Sequence, residues 1–258
     1  MTKFKFKKKY GQNFLQNETI INEIVNSINP KPDDLILEIG PGSGALTKKL
    51  KKYNAHLLAF EIDRDTEKYL LPLEDNKTKI IFEDFMESNI NNYLSNIKYK
   101  DIFIIGNLPY YITTPILERI IDLNLGEKSL TIMVQKEVGE RFLAKPHSKE
   151  YGYMTVLLNY SYNATRVIDV PRKNFYPIPN VDSIVIKLSR KEKQNVDYDR
   201  FKQIIREAFQ FKRKTINNNL KKYNKEVLEK ILIKHNASLQ SRAEDLDLET
   251  FIDLSTRL

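Results

Sequence analysis

The chain has 258 residues, 41% of them hydrophobic, with a formal net charge of +8 and no cysteine. The missing cysteine excludes disulfides and thiolate metal sites, and no apolar stretch approaches the roughly 18 residues of a membrane span. A cytoplasmic protein is expected, with no metal, no membrane and a polyanionic partner, nucleic acid before membrane.

The chain opens on MTKFKFKKKYGQNFL, with lysines at 3, 5, 7, 8 and 9 but no long apolar segment behind them. That argues against a secretory signal; the lysines suit phosphate contacts about as well as a solvated charge run. Ile20, Ile21, Ile24, Val25 and Ile28 then recur at helical spacing, with Asn17 placed as cap and Pro30 and Pro32 beyond the end. Short apolar runs follow at 35–39, 56–62, 79–83, 101–105 and 130–134 and read as strands. Amphipathic stretches at 44–53, 64–73 and 113–123 read as helices between them. Strands alternating with helices imply crossover units and a largely parallel sheet covered on both faces.

Beyond residue 150, YGYMTVLLNYS reads as a helix, TRVIDV as a strand and VDSIVIKLS as a last strand. The polar run RKEKQNVDYD marks a boundary, which predicts domains at 1–189, with a basic arm over 1–16, and at 190–258. The second is helical only, with apolar stripes at Phe201–Phe209, Leu228–Leu232 and Leu248–Leu254.

The first strand runs into EIGPGSGALT. Glycines between a strand and a helix let a ligand approach the backbone at the carboxyl end of the sheet. Gly40, Gly42 and Ala45 satisfy a loose dinucleotide fingerprint. Pro41, however, removes a backbone N–H where a pyrophosphate would need one, and no Lys-Ser/Thr pair follows to make a phosphate loop. Glu61 ends the second strand, placed to accept both hydroxyls of a ribose, and Asp84 ends the third, where an adenine amino group could donate to it. Either acid alone is as often a solvated strand end. Three successive strands ending in Gly40, Glu61 and Asp84 suit a ligand with ribose, adenine and a positive centre but no phosphate, which is S-adenosylmethionine.

The fourth strand delivers GNLPYYITTP. A turn into a helix capped by Thr113 or Thr114, with Pro115 in its first turn, accounts for part of this. It does not account for Asn107-Leu108-Pro109-Tyr110. The exocyclic nitrogen of adenine is a poor nucleophile because its lone pair is delocalised into the ring. An Asn107 oxygen and the Leu108 carbonyl, aimed by Pro109, could each accept one N–H and turn that lone pair toward a methyl donor. Tyr110 offers a face for a flipped or single-stranded base.

The segments KKKYGQNFL, EIGPGSGALT, GNLPYYITTPI, MVQKEVGERF, FYPIPNVDS and FKRKTINNNL together resemble the KsgA (RsmA) family of small-subunit ribosomal RNA adenine dimethyltransferases. The resemblance extends to RAEDLDLETF and so covers nearly the whole chain. It implies an α/β fold: a Rossmann-like methyltransferase domain followed by a small C-terminal helical domain that binds RNA or the ribosome. It implies a monomer that dimethylates N6 of two adjacent adenosines in a hairpin loop near the 3′ end of 16S rRNA, in an immature small subunit. It also implies that Asn13 and Leu15 join Gly40, Glu61, Asp84 and Asn107 around S-adenosylmethionine, and that Phe175 covers the target base opposite Tyr110. From the residues alone, Phe175 reads as a core aromatic before a proline turn. Lys212 stands where the family often has arginine, and Tyr111 where it often has Asn.

Three rival readings remain. One is the Erm group, which methylates large-subunit RNA, although Leu108 and GALT lean away from it. Another is an RNA-binding assembly factor with secondary catalysis. The last, a nicotinamide dehydrogenase, lacks a hydride-transfer acid, because His56, His147 and His235 fall in none of these motifs. Lys212, Arg213 and Lys214, interleaved with Phe209 and Phe211, are the expected RNA contact of the helical domain.

Overall fold

The computed structural model describes residues 13–192 and 195–258. The lysines at 3, 5, 7, 8 and 9 lie outside the described residues. Nine strands occur among these residues: β1 (Phe14–Leu15), β2 (Leu35–Ile39), β3 (His56–Phe60), β4 (Thr78–Ile81), β5 (Ile102–Asn107), β6 (Ser129–Gln135), β7 (Tyr162–Val170), β8 (Phe175–Tyr176) and β9 (Ser183–Arg190). Seven of them form one sheet in the order β4-β3-β2-β5-β6-β9-β7, and β1 pairs with β8 in a separate ladder.

Strands β2 to β6 run parallel, with Leu35 opposite both His56 and Ile102, while β9 runs antiparallel to β6. All five residues of β2 are buried, as a central parallel strand covered on both faces requires. The chain moves outward from β2 through β3 to β4, then returns to place β5 on the other side of β2. A crevice opens where the strand order reverses, beyond the carboxyl ends of β2 and β5. The sequence motifs converge there.

The expected strands appear with ends shifted by at most three residues, the one at 35–39 unshifted. Helix Glu18–Asn26 is capped as expected, the Asn17 side chain accepting from the amides of Thr19 and Ile20. The helix Thr113–Leu123 is not capped by a threonine. Ile112 occupies the cap position without a side-chain bond, and the Thr113 hydroxyl donates back to the Pro109 carbonyl at 3.1 Å. That carbonyl also accepts from Ile112 N, so the threonine braces the turn instead of opening the helix.

Two compact units are formed. One runs to Gly139 and resumes over Thr165–Arg190; the other comprises Glu140–Ala164 and Lys191–Leu258. The second unit therefore takes in a segment that the sequence had grouped with the first domain. The reason is aromatic packing. Tyr160 stacks on Phe201 with centroids 4.4 Å apart, and Tyr151 lies against Phe209, which in turn meets Phe251. Helices Tyr198–Ala208, Lys225–Lys234 and Leu248–Arg257 bury most of the predicted stripes, with Phe209, Leu248 and Ile252 only half-buried. Each is capped by a side chain, from Asp197, Asn224 and Asp247 respectively. Phe209 is thus half-buried against Tyr151 and Phe251, and of the two aromatics expected at an RNA surface Phe211, 57% exposed, is the more accessible.

Candidate active site

A cavity of about 1110 Å³, its open mouth included, lies beyond the carboxyl ends of β2, β3 and β5. Gly40, Glu61, Asp84 and Asn107 line it, as do Leu108, Pro109 and Tyr110. Asn13 and Leu15 also line it, delivered by β1, which is held in place by its pairing with β8. A pair of two-residue strands carries no alternation, so nothing in the sequence pattern announced this ladder.

The floor of the cavity needs its glycines. Gly42 sits at φ +58°, and a Cβ there would lie 2.9 Å from the Phe14 ring of β1. At Gly106 a Cβ would lie 2.6 Å from the Ile39 carbonyl oxygen, so β5 can lie this close to β2 only without a side chain. The glycine loop also turns an amide inward, Gly42 N donating to Glu61 Oε2 at 2.9 Å. Asp63 N donates to Glu61 Oε1 at 2.8 Å. Burial pushes the Glu61 carboxyl up from its ordinary range, and the two amides partly offset this. Asp84 is tied by Met86 N to one oxygen, Oδ1, at 2.8 Å, and it is half-buried.

Asn107 ends β5 with its Nδ2 donating to the Asn13 carbonyl at 3.2 Å. Because the amide nitrogen is so engaged, the side-chain oxygen remains as an acceptor. Leu108 is 1% exposed, so what it offers the cavity is backbone. Its N–H is held by the Met133 carbonyl at 3.1 Å. The Tyr110 hydroxyl is 2.7 Å from Ser183 Oγ, and burial raises its pKa, so the ring is anchored as a neutral phenol.

Phe175 departs from expectation. It is 2% exposed, pairs with Leu15 and packs with Val170, Val185 and Met133 in the core. It is not among the residues lining the cavity. Strand alternation explains this: with Phe175 turned to the core, its neighbour Tyr176 is the one exposed, at 53%.

Two residues that sequence reasoning passed over matter here. Ser183, the last residue of FYPIPNVDS, orients Tyr110; only its place in a quoted segment pointed to it. Glu38, the penultimate residue of β2 before the glycines, is 1% exposed, and neither carboxyl oxygen completes a hydrogen bond, although Thr47 lies beside it. Burial raises its pKa to about 8. Among the described residues, no group of three His, Cys, Asp or Glu is arranged to hold a metal ion, and no helix is long and apolar enough to cross a membrane.

Comparison with known proteins gives one consistent picture. The family model described as ribosomal RNA adenine dimethylase matches residues 3–258. "Ribosomal RNA small subunit methyltransferase A" of Onion yellows phytoplasma is 40% identical, covering 97% of this chain and 95% of its own. The protein of the same name from Bacillus cytotoxicus is 38% identical, over 99% and 92%. Among solved structures, a dimethyladenosine transferase from Plasmodium falciparum superposes with a TM-score of 0.76 at 26% identity, covering 93% and 95% of the two chains. The 23S rRNA methyltransferase ErmE gives 0.72 at 22% identity over 95% and 99%, a likeness of fold.

Proposed function

Since this chain belongs to the ribosomal RNA adenine dimethylase family, we propose that it transfers methyl groups from S-adenosylmethionine to N6 of two adjacent adenosines. The target is the hairpin loop near the 3′ end of 16S rRNA in an immature small subunit, and the enzyme works as a cytoplasmic monomer. The observation that carries this reading is the anchoring of Asn107. Its amide nitrogen donates to Asn13, and the residue lines a cavity shared with the glycine loop, Glu61 and Asp84.

The residues present fit S-adenosylmethionine. Glycines at left-handed φ give a backbone cradle that a Cβ at Gly42 would fill. The Glu61 carboxylate, braced by two amides, keeps lone pairs for ribose hydroxyls, and the second oxygen of Asp84 suits the adenine amino group. When bound, the cofactor supplies an electrophilic methyl carbon. Leu15, on β1, and Asn13, just before it, would close over it.

The remaining work falls to the chain. Asn107 Oδ1 and the Leu108 carbonyl accept the two N–H bonds of the target amine, which favours a pyramidal nitrogen with its lone pair forward. Pro109 fixes the turn that aims that carbonyl, and Thr113 braces the next carbonyl, that of Pro109. Tyr110 supplies the stacking face. Rate comes from alignment and preorganised acceptors; no general base is required, because the methylated ammonium loses its proton readily to water. After the first methyl one N–H remains, so a single acceptor suffices for the second transfer.

The large-subunit alternative is weaker. The relatives at 38–40% identity carry a small-subunit name, whereas the ErmE likeness, at 22%, concerns the fold. Incubation with radiolabelled S-adenosylmethionine and separately purified under-methylated small and large subunits tests this. Label is expected on small-subunit adenosines; label confined to the large subunit would reverse the assignment.

A further inference from the structure

A second cleft opens at the opposite end of the sheet, at the starts of β5 and β6 and the end of β9, lined in part by Lys31, Lys100, Lys128 and Lys187. Two aspartates share it and offset two of the four positive charges. Asp34, 2% exposed, accepts from the backbone amides of Lys31 and Asp101. Asp101 Oδ2 pairs with Lys128 Nζ at 2.8 Å. Lys187 donates to the Ser27 carbonyl at 2.6 Å, a neutral partner that leaves its positive charge in place. The ammonium groups of Lys31 and Lys100 have no ion pair among the described residues, and both side chains are exposed.

Between these cations lies Ser129. It lines the cleft, is 2% exposed, and its hydroxyl is buried with no hydrogen-bond partner. A buried hydroxyl without a partner is costly and calls for an explanation. Its residue lines the cleft, among cations that exceed the available anions. A phosphate satisfies both conditions: its oxygens accept from the hydroxyl and its charge answers the lysines.

We propose that this cleft binds a backbone phosphate of the substrate RNA, at a point away from the reacting adenosine. The proposal rests on the ribosomal RNA reading above. Strands of five to six residues separate the two sites by roughly 17–20 Å, a span that a folded RNA crosses with a neighbouring helix. The cleft therefore contributes affinity and orientation on the folded subunit, and little on a short isolated hairpin.

The test compares the full-length protein with its Lys31→Gln/Lys100→Gln variant, both positions being exposed, for binding to under-methylated small subunits across a potassium chloride series. The log–log salt slope is expected to fall in magnitude by about 0.7 to 0.9 units, for one lost phosphate contact. Lys79→Gln, on the edge strand β4, should leave the slope unchanged, and S-adenosylhomocysteine should bind every variant within about twofold of the parent. A slope unchanged in the double variant, or lowered equally per charge by Lys79→Gln, overturns the proposal. Inorganic phosphate, titrated while amide resonances of Lys31 and Ser129 are followed, distinguishes the source. Shifts there that vanish in Ser129→Ala, together with an unchanged slope, would mean a free phosphate and not RNA. Methyl transfer to small subunits by the parent protein is scored in parallel, so failure of the substrate assignment shows separately.

Discussion

Asn107 donates to the backbone carbonyl of Asn13 at 3.2 Å, which ties the end of β5 to the residue before β1. One hydrogen bond thus fixes the amide nitrogen and leaves the oxygen as an acceptor. Replacing Asn107 by Ala should lower single-turnover methyl transfer by about 10²–10³, the usual cost of losing one preorganised polar group in the transition state. RNA binding should stay near normal. Asn107→Asp keeps an acceptor but loses the donor to Asn13, so it should retain more activity than Ala and bind the cofactor less well. Full activity in Asn107→Ala, measured with saturating RNA, would refute the alignment mechanism.

Tyr110 and Ser183 form the second coupled pair, at 2.7 Å. Ser183 is fully buried, so Ser183→Ala leaves the phenol short of its partner at a cost of about 1–2 kcal/mol. Tyr110→Phe keeps the stacking ring and should retain most turnover, whereas Tyr110→Ala should lose it. Combining Ser183→Ala with Tyr110→Phe should cost less than the sum of the two, by roughly 1 kcal/mol in denaturant unfolding. Strict additivity would show that the pair is not coupled.

Much of this site could be read from the sequence because its residues lie at strand ends, where local pattern suffices. Gly40, Glu61, Asp84 and Asn107 each follow an apolar run, and the parallel sheet brings such ends together. What the sequence could not convey depended on distant pairing. The β1–β8 ladder joins residues about 160 positions apart through only two residues on each side, with no alternation to betray it. The same ladder decides which of Phe175 and Tyr176 faces the core. Residues 140–164 join the C-terminal helices through Tyr151 and Tyr160, aromatics whose partners no local pattern reveals.

Phe175 makes the consequence measurable. Its side chain is buried in the core cluster that also contains Leu15, so Phe175→Ala should destabilise by about 3–5 kcal/mol. Phe175→Leu restores much of the volume and should recover most of the stability, and methyl transfer should recover with it. If Phe175→Leu is stable but slow, the ring is needed at the target base and must leave the core during the reaction.

Glu38 predicts a pH effect on folding. Its carboxyl is fully buried, and its pKa is raised to about 8 in the native state, against about 4.3 in an unfolded chain. Between these values the native state holds a proton that the unfolded state has released. Stability contributed by the neutral form is therefore full at low pH and falls as pH rises through this window, by up to about 1.4 kcal/mol per pH unit. Denaturant midpoints from pH 5 to 8 should decline accordingly. Glu38→Gln, neutral throughout, should remove this group's share of the slope. An equal slope in that variant would assign the pH dependence to other groups.

In the C-terminal unit, Lys212, Arg213 and Lys214 are all exposed beside Phe211. Phe209 is committed to Tyr151 and Phe251, so Phe211 is left as the aromatic partner of this patch. Cations track the phosphates and an exposed ring can stack on an unpaired base. Neutralising all three cations should therefore flatten the salt dependence of RNA binding by about 2 units of slope. Phe211→Ala should weaken binding by about 1–3 kcal/mol at every salt concentration without altering the slope. The two effects are separable because only one releases counterions. A slope unmoved by the triple variant would remove this patch from the RNA interface, even if Phe211→Ala still lowers affinity.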